Sequence, residues 1–283
     1  MRRAFVLPMV ILAMVVVGLT AAIMLQRATS VSMTVTRQVD AYKVQHVVRG
    51  LQEAVEAWLS QQRARTIPDA LDSDGLALVL RPGDGTTVSL FFFDGQGTAR
   101  SNGLGVAEDV APDVDAVADQ IRANQGPERG LRFLRDVGPY AVSINAAEPE
   151  TLVAIAEALA PEDTVANLQD GLARLIEARD NEPVGQEELT QLMSEVRIAG
   201  AERTRILRMF TPQPVLWEVI IVVKGDGLTA PLGEVARYRS LVLVEPEEAG
   251  QSAFEQPSPF LMWEEMTRGD PRFENPRFWE VGR

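Results

Sequence analysis

An uncharged apolar run from Ala4 to Leu25 begins directly behind Arg2 and Arg3, and beyond it a helix-compatible pattern continues without a further proline until Pro68. The 22 residues of that run, at ~1.5 Å each, give about 33 Å of helix, enough to cross the ~30 Å hydrocarbon layer of a bilayer. Twelve of them are Leu, Ile, Val or Phe. Each is worth roughly 0.3 to 0.6 kcal/mol on an insertion scale, so transfer is favourable by roughly 5 kcal/mol before Pro8, Gly18 and Thr20 subtract their share. The run is expected to insert into a membrane.

Three readings of this segment compete. A secretory signal peptide has an apolar region of about 7 to 15 residues and then a small-residue cleavage site; this run is longer, and Thr20 to Ala22 makes a poor site. A one-span anchor fits the length and places Arg2 and Arg3 on the cytoplasmic side. Third, the order Arg2-Arg3-Ala4-Phe5-Val6-Leu7 resembles the leader of type IV pilin-like proteins, which a prepilin peptidase cuts just before a Phe or Met that opens a long membrane helix. Pro8 modestly favours the third. Inside a helix it loses the bond to the carbonyl four residues back and clashes with it, at about 3 kcal/mol. After a cut between Ala4 and Phe5 that carbonyl has left with the leader. A helix that begins uncut near Pro8 tolerates the proline as well.

From Val31 to Leu59 the apolar residues Val35, Val39, Tyr42, Val44, Val48, Leu51, Val55 and Leu59 follow mostly at three- and four-residue steps, the spacing of an amphipathic helix face. Joined to the membrane run, it predicts one helix of some fifty residues ending before Pro68, because the residue ahead of proline avoids helix. Strand signals come next. Leu76 to Leu80 and Thr87 to Phe93 flank Arg81-Pro82-Gly83-Asp84-Gly85, and Asp94-Gly95 turns the chain towards Thr98 to Arg100. Val215 to Val223 and Val235 to Val244 read as two later strands, and an antiparallel sheet packed on the helix is the natural use for all of these. Between them, from Val106 to about Leu207, the period becomes helical, with Pro149 at a first turn and Pro161, Pro183 and Gly185 separating segments. The tail beyond Pro246 is expected to lie as an extended strap, with a docking peptide as the alternative.

Composition narrows the function. A net charge of -13 disfavours nucleic acid and anionic membrane surfaces as partners of the soluble part, since both are bound through clustered Lys and Arg. With no cysteine there is no disulfide, thiolate metal site or cysteine nucleophile. The single histidine, His46, falls on the juxtamembrane helix, and G-x-S-x-G, Walker and H-E-x-x-H motifs are all missing. Asp69, Asp72, Asp74 and Gly75 superficially suggest a calcium loop. In the register that aligns Gly75, however, Ala70 takes the first ligand position and Arg81 the twelfth, so a solvated turn is expected. The chain is read as non-catalytic and without cofactor, a structural divalent ion being left open.

Asn145, Ala147, Leu152, Ile176 and Arg179 form a pattern similar to a helix-hairpin-helix element, N-x-A…L…I-x-x-R. In DNA-binding members of that group Gly-rich hairpins aim backbone N–H groups at phosphate; here the hairpin position reads Ala160-Pro161-Glu162-Asp163, and DNA binding is disfavoured. Such a degenerate module, inserted in a pilin-like domain behind a prepilin leader, resembles the K-component family of type II secretion, the minor pseudopilins. Met9 stands at the fifth mature position, where most pilins carry glutamate and this family does not; Ala4 departs from the usual Gly before the cut.

The resemblance implies an α+β, pilin-like fold: a leader (1–4), a transmembrane part from Phe5 to Leu25, an amphipathic spine (26–67), a sheet (68–104 and 208–246), an inserted α-helical module (105–207) and a C-terminal strap (247–283). It also implies a single-pass protein of the bacterial inner membrane with its bulk in the periplasm, capping the tip of a short pseudopilus during protein export. Other minor pseudopilins, the prepilin peptidase and the inner-membrane secretion platform would be its partners. Two other classes remain: a membrane-anchored, competence-like receptor binding nucleic acid, which would need a basic groove, and a periplasmic enzyme, which would need convergent polar groups in a pocket.

Overall fold

The structure is a computed structural model and describes residues 6–62, 66–83, 85–179, 181–196, 198, 200–225, 235–244 and 258–266. It is α+β, with a long N-terminal apolar helix and an antiparallel sheet. Helix α1, Val6–Leu59, has 54 residues and so extends for about 80 Å. From Met14 onward its side chains are described, and through Leu25 all of them are exposed. The helix is long and apolar enough to cross a membrane.

Burial begins where the amphipathic stripe meets the sheet. Leu51, Val55 and Leu59, spaced four apart, enter one apolar cluster with Val88, Leu90 and Phe92 of one strand and Trp217, Val219, Ile221 and Val223 of another. Trp58 lies 4.4 Å from Phe92, ring centre to ring centre. The helix stops earlier than the spacing of prolines suggested. Beyond Leu59 come Ser60, Gln61 and Gln62, with no apolar group to bury, and the chain closes in turns, Gln61 N–H to Trp58 O at 3.1 Å and Gln62 N–H to Leu59 O at 2.9 Å. Pro68 instead sits in the first turn of a separate short helix α2, Ile67–Ala70, where its missing N–H costs nothing.

The sheet is built from β1 (Leu76–Gly83) and β2 (Thr86–Asp94), which are followed by a two-residue strand β3 (Ala99–Arg100) outside it. The chain then forms helices α3 (Ala111–Gln125) and α4 (Pro127–Gly130), a 3-10 turn, and the short strands β4 (Leu134–Arg135) and β5 (Val142–Ser143). Four further helices follow, α5 (Pro149–Leu159), α6 (Val165–Arg179), α7 (Gln186–Glu195) and α8 (Gly200–Leu207). After β6 (Phe210–Thr211) the chain returns to the sheet with β7 (Leu216–Lys224), β8 (Val235–Leu243) and β9 (Phe260–Glu265). The strand order is β1-β2-β7-β8-β9, every neighbouring pair antiparallel. Because side chains alternate between faces, Val88, Leu90 and Phe92 face α1 while Phe91, Ile220, Val222 and Met266 form a smaller cluster on the opposite face.

Two expectations are corrected. Thr98 to Arg100 does not extend the main sheet: Ala99 and Arg100 pair in parallel with Leu134 and Arg135, because this chain segment has already turned away at Asp94-Gly95. The tail is not only a strap, since Phe260–Glu265 adds the fifth strand, its Phe260 and Trp263 packing on the α1 side of the sheet. The rest of the region 247–283 lies outside the described residues, apart from 258–266. The helices between β3 and β6 share a separate core in which Val117, Ile121, Phe133, Ile144, Leu152, Ile155, Leu168 and Leu189 are buried.

Candidate functional site

The residues singled out in the sequence fall in two places, the apolar rod and the helical unit. Ala4 and Phe5 lie outside the described residues, as does the side chain of Met9. Further along, Met14 is 70% and Leu25 69% exposed, the state expected of side chains made for a lipid rather than a protein environment. The one polar side chain within this stretch is answered locally. The Thr20 hydroxyl donates to the carbonyl of Val16 at 2.5 Å and lies 3.1 Å from that of Val17, so it presents no unsatisfied donor to an apolar medium. Thr29, Ser30, Thr34 and Thr36 fold back on the helix in the same way. His46 packs edge-to-face on Tyr42, 4.3 Å between ring centres.

In the helical unit the structure brings Asn145 and Arg179 to the same turn. Arg179, at the last position of α6, donates to the carbonyls of Ile144 and Ala147, both at 2.7 Å. Asn145 accepts from the Val184 N–H at 2.8 Å and donates to the carbonyls of Val184 at 3.0 Å and Pro212 at 3.1 Å. The pair therefore ties the turn after β5 to the end of α6, to the α6–α7 connection and to the chain re-entering the sheet. Leu152 is fully buried in α5, and Ile176 packs on the same core. At the hairpin position the turn after Pro161 is closed by backbone bonds from Thr164 and Val165 to the Pro161 carbonyl, and Glu162 and Asp163 are exposed. These contacts hold the turn and the helices around it together.

Sequence reading missed two further groupings. The first joins the unit to the sheet. Gln96, 1% exposed, donates from its side-chain amide to Ala141 O at 2.9 Å and accepts at its side-chain oxygen from the N–H groups of Val215 and Leu216 at 2.9 and 3.3 Å, while its backbone carbonyl accepts from Ser143 N–H at 2.8 Å. Next to it Gly97 is forced to be glycine by space: a Cβ there would lie 2.7 Å from the Ala146 carbonyl oxygen. Burial pushes the Asp94 carboxyl above its ordinary range, a shift that the Gln96 N–H and the Arg135 charge oppose. Burial likewise lowers Arg135 to about 10, yet it stays cationic at neutral pH and donates to the carbonyls of Pro139 and, at 3.0 Å, Ala141.

The second grouping clamps α3 to α8. Asp113 accepts from Arg205 at 2.7 Å and from Arg208 at 2.6 Å, and Arg208 also reaches the Asp109 carboxylate at 2.9 Å. Burial alone would raise the Asp113 carboxyl, but the hydrogen bonds and charges of the two arginines outweigh it and hold the group below its usual value. No single-sequence signal marks this triad, because Asp113 lies 92 and 95 residues from its two arginines.

A shallow depression of about 320 Å³ lies along α7 and is lined by Gln186, Glu187, Thr190, Gln191 and Ser194. Among the described residues no group of three or more His, Cys, Asp or Glu side chains gathers in a metal-binding arrangement. The acidic turn is held by Asp72, whose carboxylate accepts from the N–H groups of Asp74 and Leu76 at 2.9 and 2.8 Å. Compared with known proteins, the chain matches no family model and no curated protein.

Proposed function

We propose that this chain is a minor pseudopilin of a type II secretion-like system, a structural protein that caps the tip of a short periplasmic pseudopilus and takes part in protein export. One observation carries the reading: a single 54-residue helix begins apolar, is exposed from Met14 to Leu25, and seats its last turns on an antiparallel sheet through Leu51, Val55 and Leu59. A rod of this kind fixes a globular head at a set distance from a bilayer and can be laid beside similar rods. Met9 in place of an acid gives the reading its tip position. In a stack of such rods a buried carboxylate would neutralise the free amine of a neighbour, since an unpaired charge in lipid is costly; a subunit without it offers no such pairing to one stacked above. The helical unit adds bulk at the head that obstructs further stacking. The acidic hairpin and the net charge of -13 count against the nucleic-acid alternative.

Export is the test. In a strain carrying the parent secretion system, deletion of this chain should leave exported proteins in the periplasm, and expression of the full chain should restore their release. Unchanged export in the deletion strain would remove the proposal.

A further inference from the structure

The turn between β3 and α3 holds an apolar residue out in solvent by unusually complete clamping. Leu104 is 76% exposed, yet both of its backbone polar groups are committed: its N–H donates to the Asn102 side chain at 3.0 Å and its carbonyl accepts from Arg100 at 2.8 Å. Gly103 N–H donates to Asp115 at 2.8 Å, Val106 N–H closes the turn on Gly103 O at 3.1 Å, and Arg122 holds the Ser101 carbonyl at 2.7 Å. The Ser101 hydroxyl in turn donates to Asp136 at 2.6 Å. Gly105 takes the left-handed conformation, φ 74°, that such a turn needs. Gly103 is wedged so closely on Ala111 that a Cβ would come within 2.8 Å of it.

A floppy loop hides an apolar side chain by rearranging; this one is denied that freedom, and a residue fixed in place before contact forfeits little entropy when it binds. The charge around Leu104 is acidic on balance: the segments that frame the turn carry Glu108, Asp109, Asp115, Asp119 and Asp136 against Arg100 and Arg122, with Asp119 paired to Arg122 at 2.8 Å and Asp109 to Arg208 at 2.9 Å. The region 105–207 as a whole has 20 Asp and Glu against 9 Arg and no Lys, a net of -11 out of -13. A second copy of the same surface would be repelled, so complementarity selects a cationic rim on the other side.

We propose that Leu104 is a preformed anchor for a protein partner, other than a second copy of this unit, whose surface offers an apolar socket ringed by Lys or Arg. This goes beyond the export reading and stands without it, since it concerns the head alone. The test places a photo-crosslinking phenylalanine derivative at position 104 of the full chain in its native host, with the same probe at Glu187, an exposed position on α7, as control. The expected result is one discrete protein adduct from position 104 and not from 187, with the crosslinked peptide lying in an apolar recess flanked by at least two Lys or Arg. That protein, once purified, should bind the Leu104→Asp variant at least tenfold more weakly than the parent chain and the Leu104→Met variant about equally, all three melting at the same temperature. Adducts equal at 104 and 187, adducts only to lipid or to a second copy, or unchanged binding by Leu104→Asp would each overturn it.

Discussion

Arg179 and Asn145 turn the sequence pattern into a mechanical claim that single substitutions can check. Arg179 satisfies two carbonyls at 2.7 Å, and a hydrogen bond to a charged donor is worth roughly 1.5 to 3 kcal/mol. Arg179→Ala in the detergent-solubilised chain should therefore cost about 2 kcal/mol in urea unfolding; a loss under about 0.5 kcal/mol would mean that the clasp is idle. Asp113 and Asp94 carry opposite signs in acid. The Asp113 carboxyl is depressed in the folded chain, so its contribution is fully present above the unfolded value of about 3.9 and is lost as pH falls through the lower folded value. Asp94 is raised, so stability falls as pH rises from 3.8 through its folded value. Replacing Asp113 with Asn should remove stability at pH 7 and flatten the acid limb of the stability curve below pH 4, measured by thermal melts across pH 2 to 7. An acid limb identical to the parent's would contradict the assignment. The pattern around Asn145 was legible because its members lie within one stretch from Asn145 to Arg179 at motif-like spacing, whereas Gln96, Asp113 and their partners meet only through the fold.

The elements show the same division. The rod was readable because its apolar run and the stripe at Leu51, Val55 and Leu59 repeat at the period of a helix. Its end was misjudged by letting Pro68 decide when the loss of anything to bury after Leu59 already had. β9 was missed because a six-residue strand in a proline-rich tail gains its status only from pairing with β8. A continuous helix also has a measurable length. Since the chain has no cysteine, spin labels on cysteines placed at the exposed positions Arg27 and Glu53 report on the rod alone. At ~1.5 Å per residue they should sit about 39 Å apart in a narrow distribution in nanodiscs, give or take the label arms. A broad distribution, or one centred below about 30 Å, would break the rod.

At the scale of the molecule, an uncharged rod end and an acidic head are separated along one chain, with 11 of the 13 net negative charges in the region 105–207. An anionic bilayer surface would repel such a head, and in the proposed arrangement the exposed helix between the apolar stretch and the sheet would keep the two apart. The rod and the sheet share one buried apolar cluster, while the helical unit has a core of its own. The pseudopilin reading stands most directly on how the chain begins its working life. The intact mass of the chain extracted from membranes should be lower by the mass of Met1 to Ala4, apart from any modification of the new terminus, when a prepilin peptidase is present. In cells lacking that peptidase the full mass should return. The same uncut mass in both strains would contradict it.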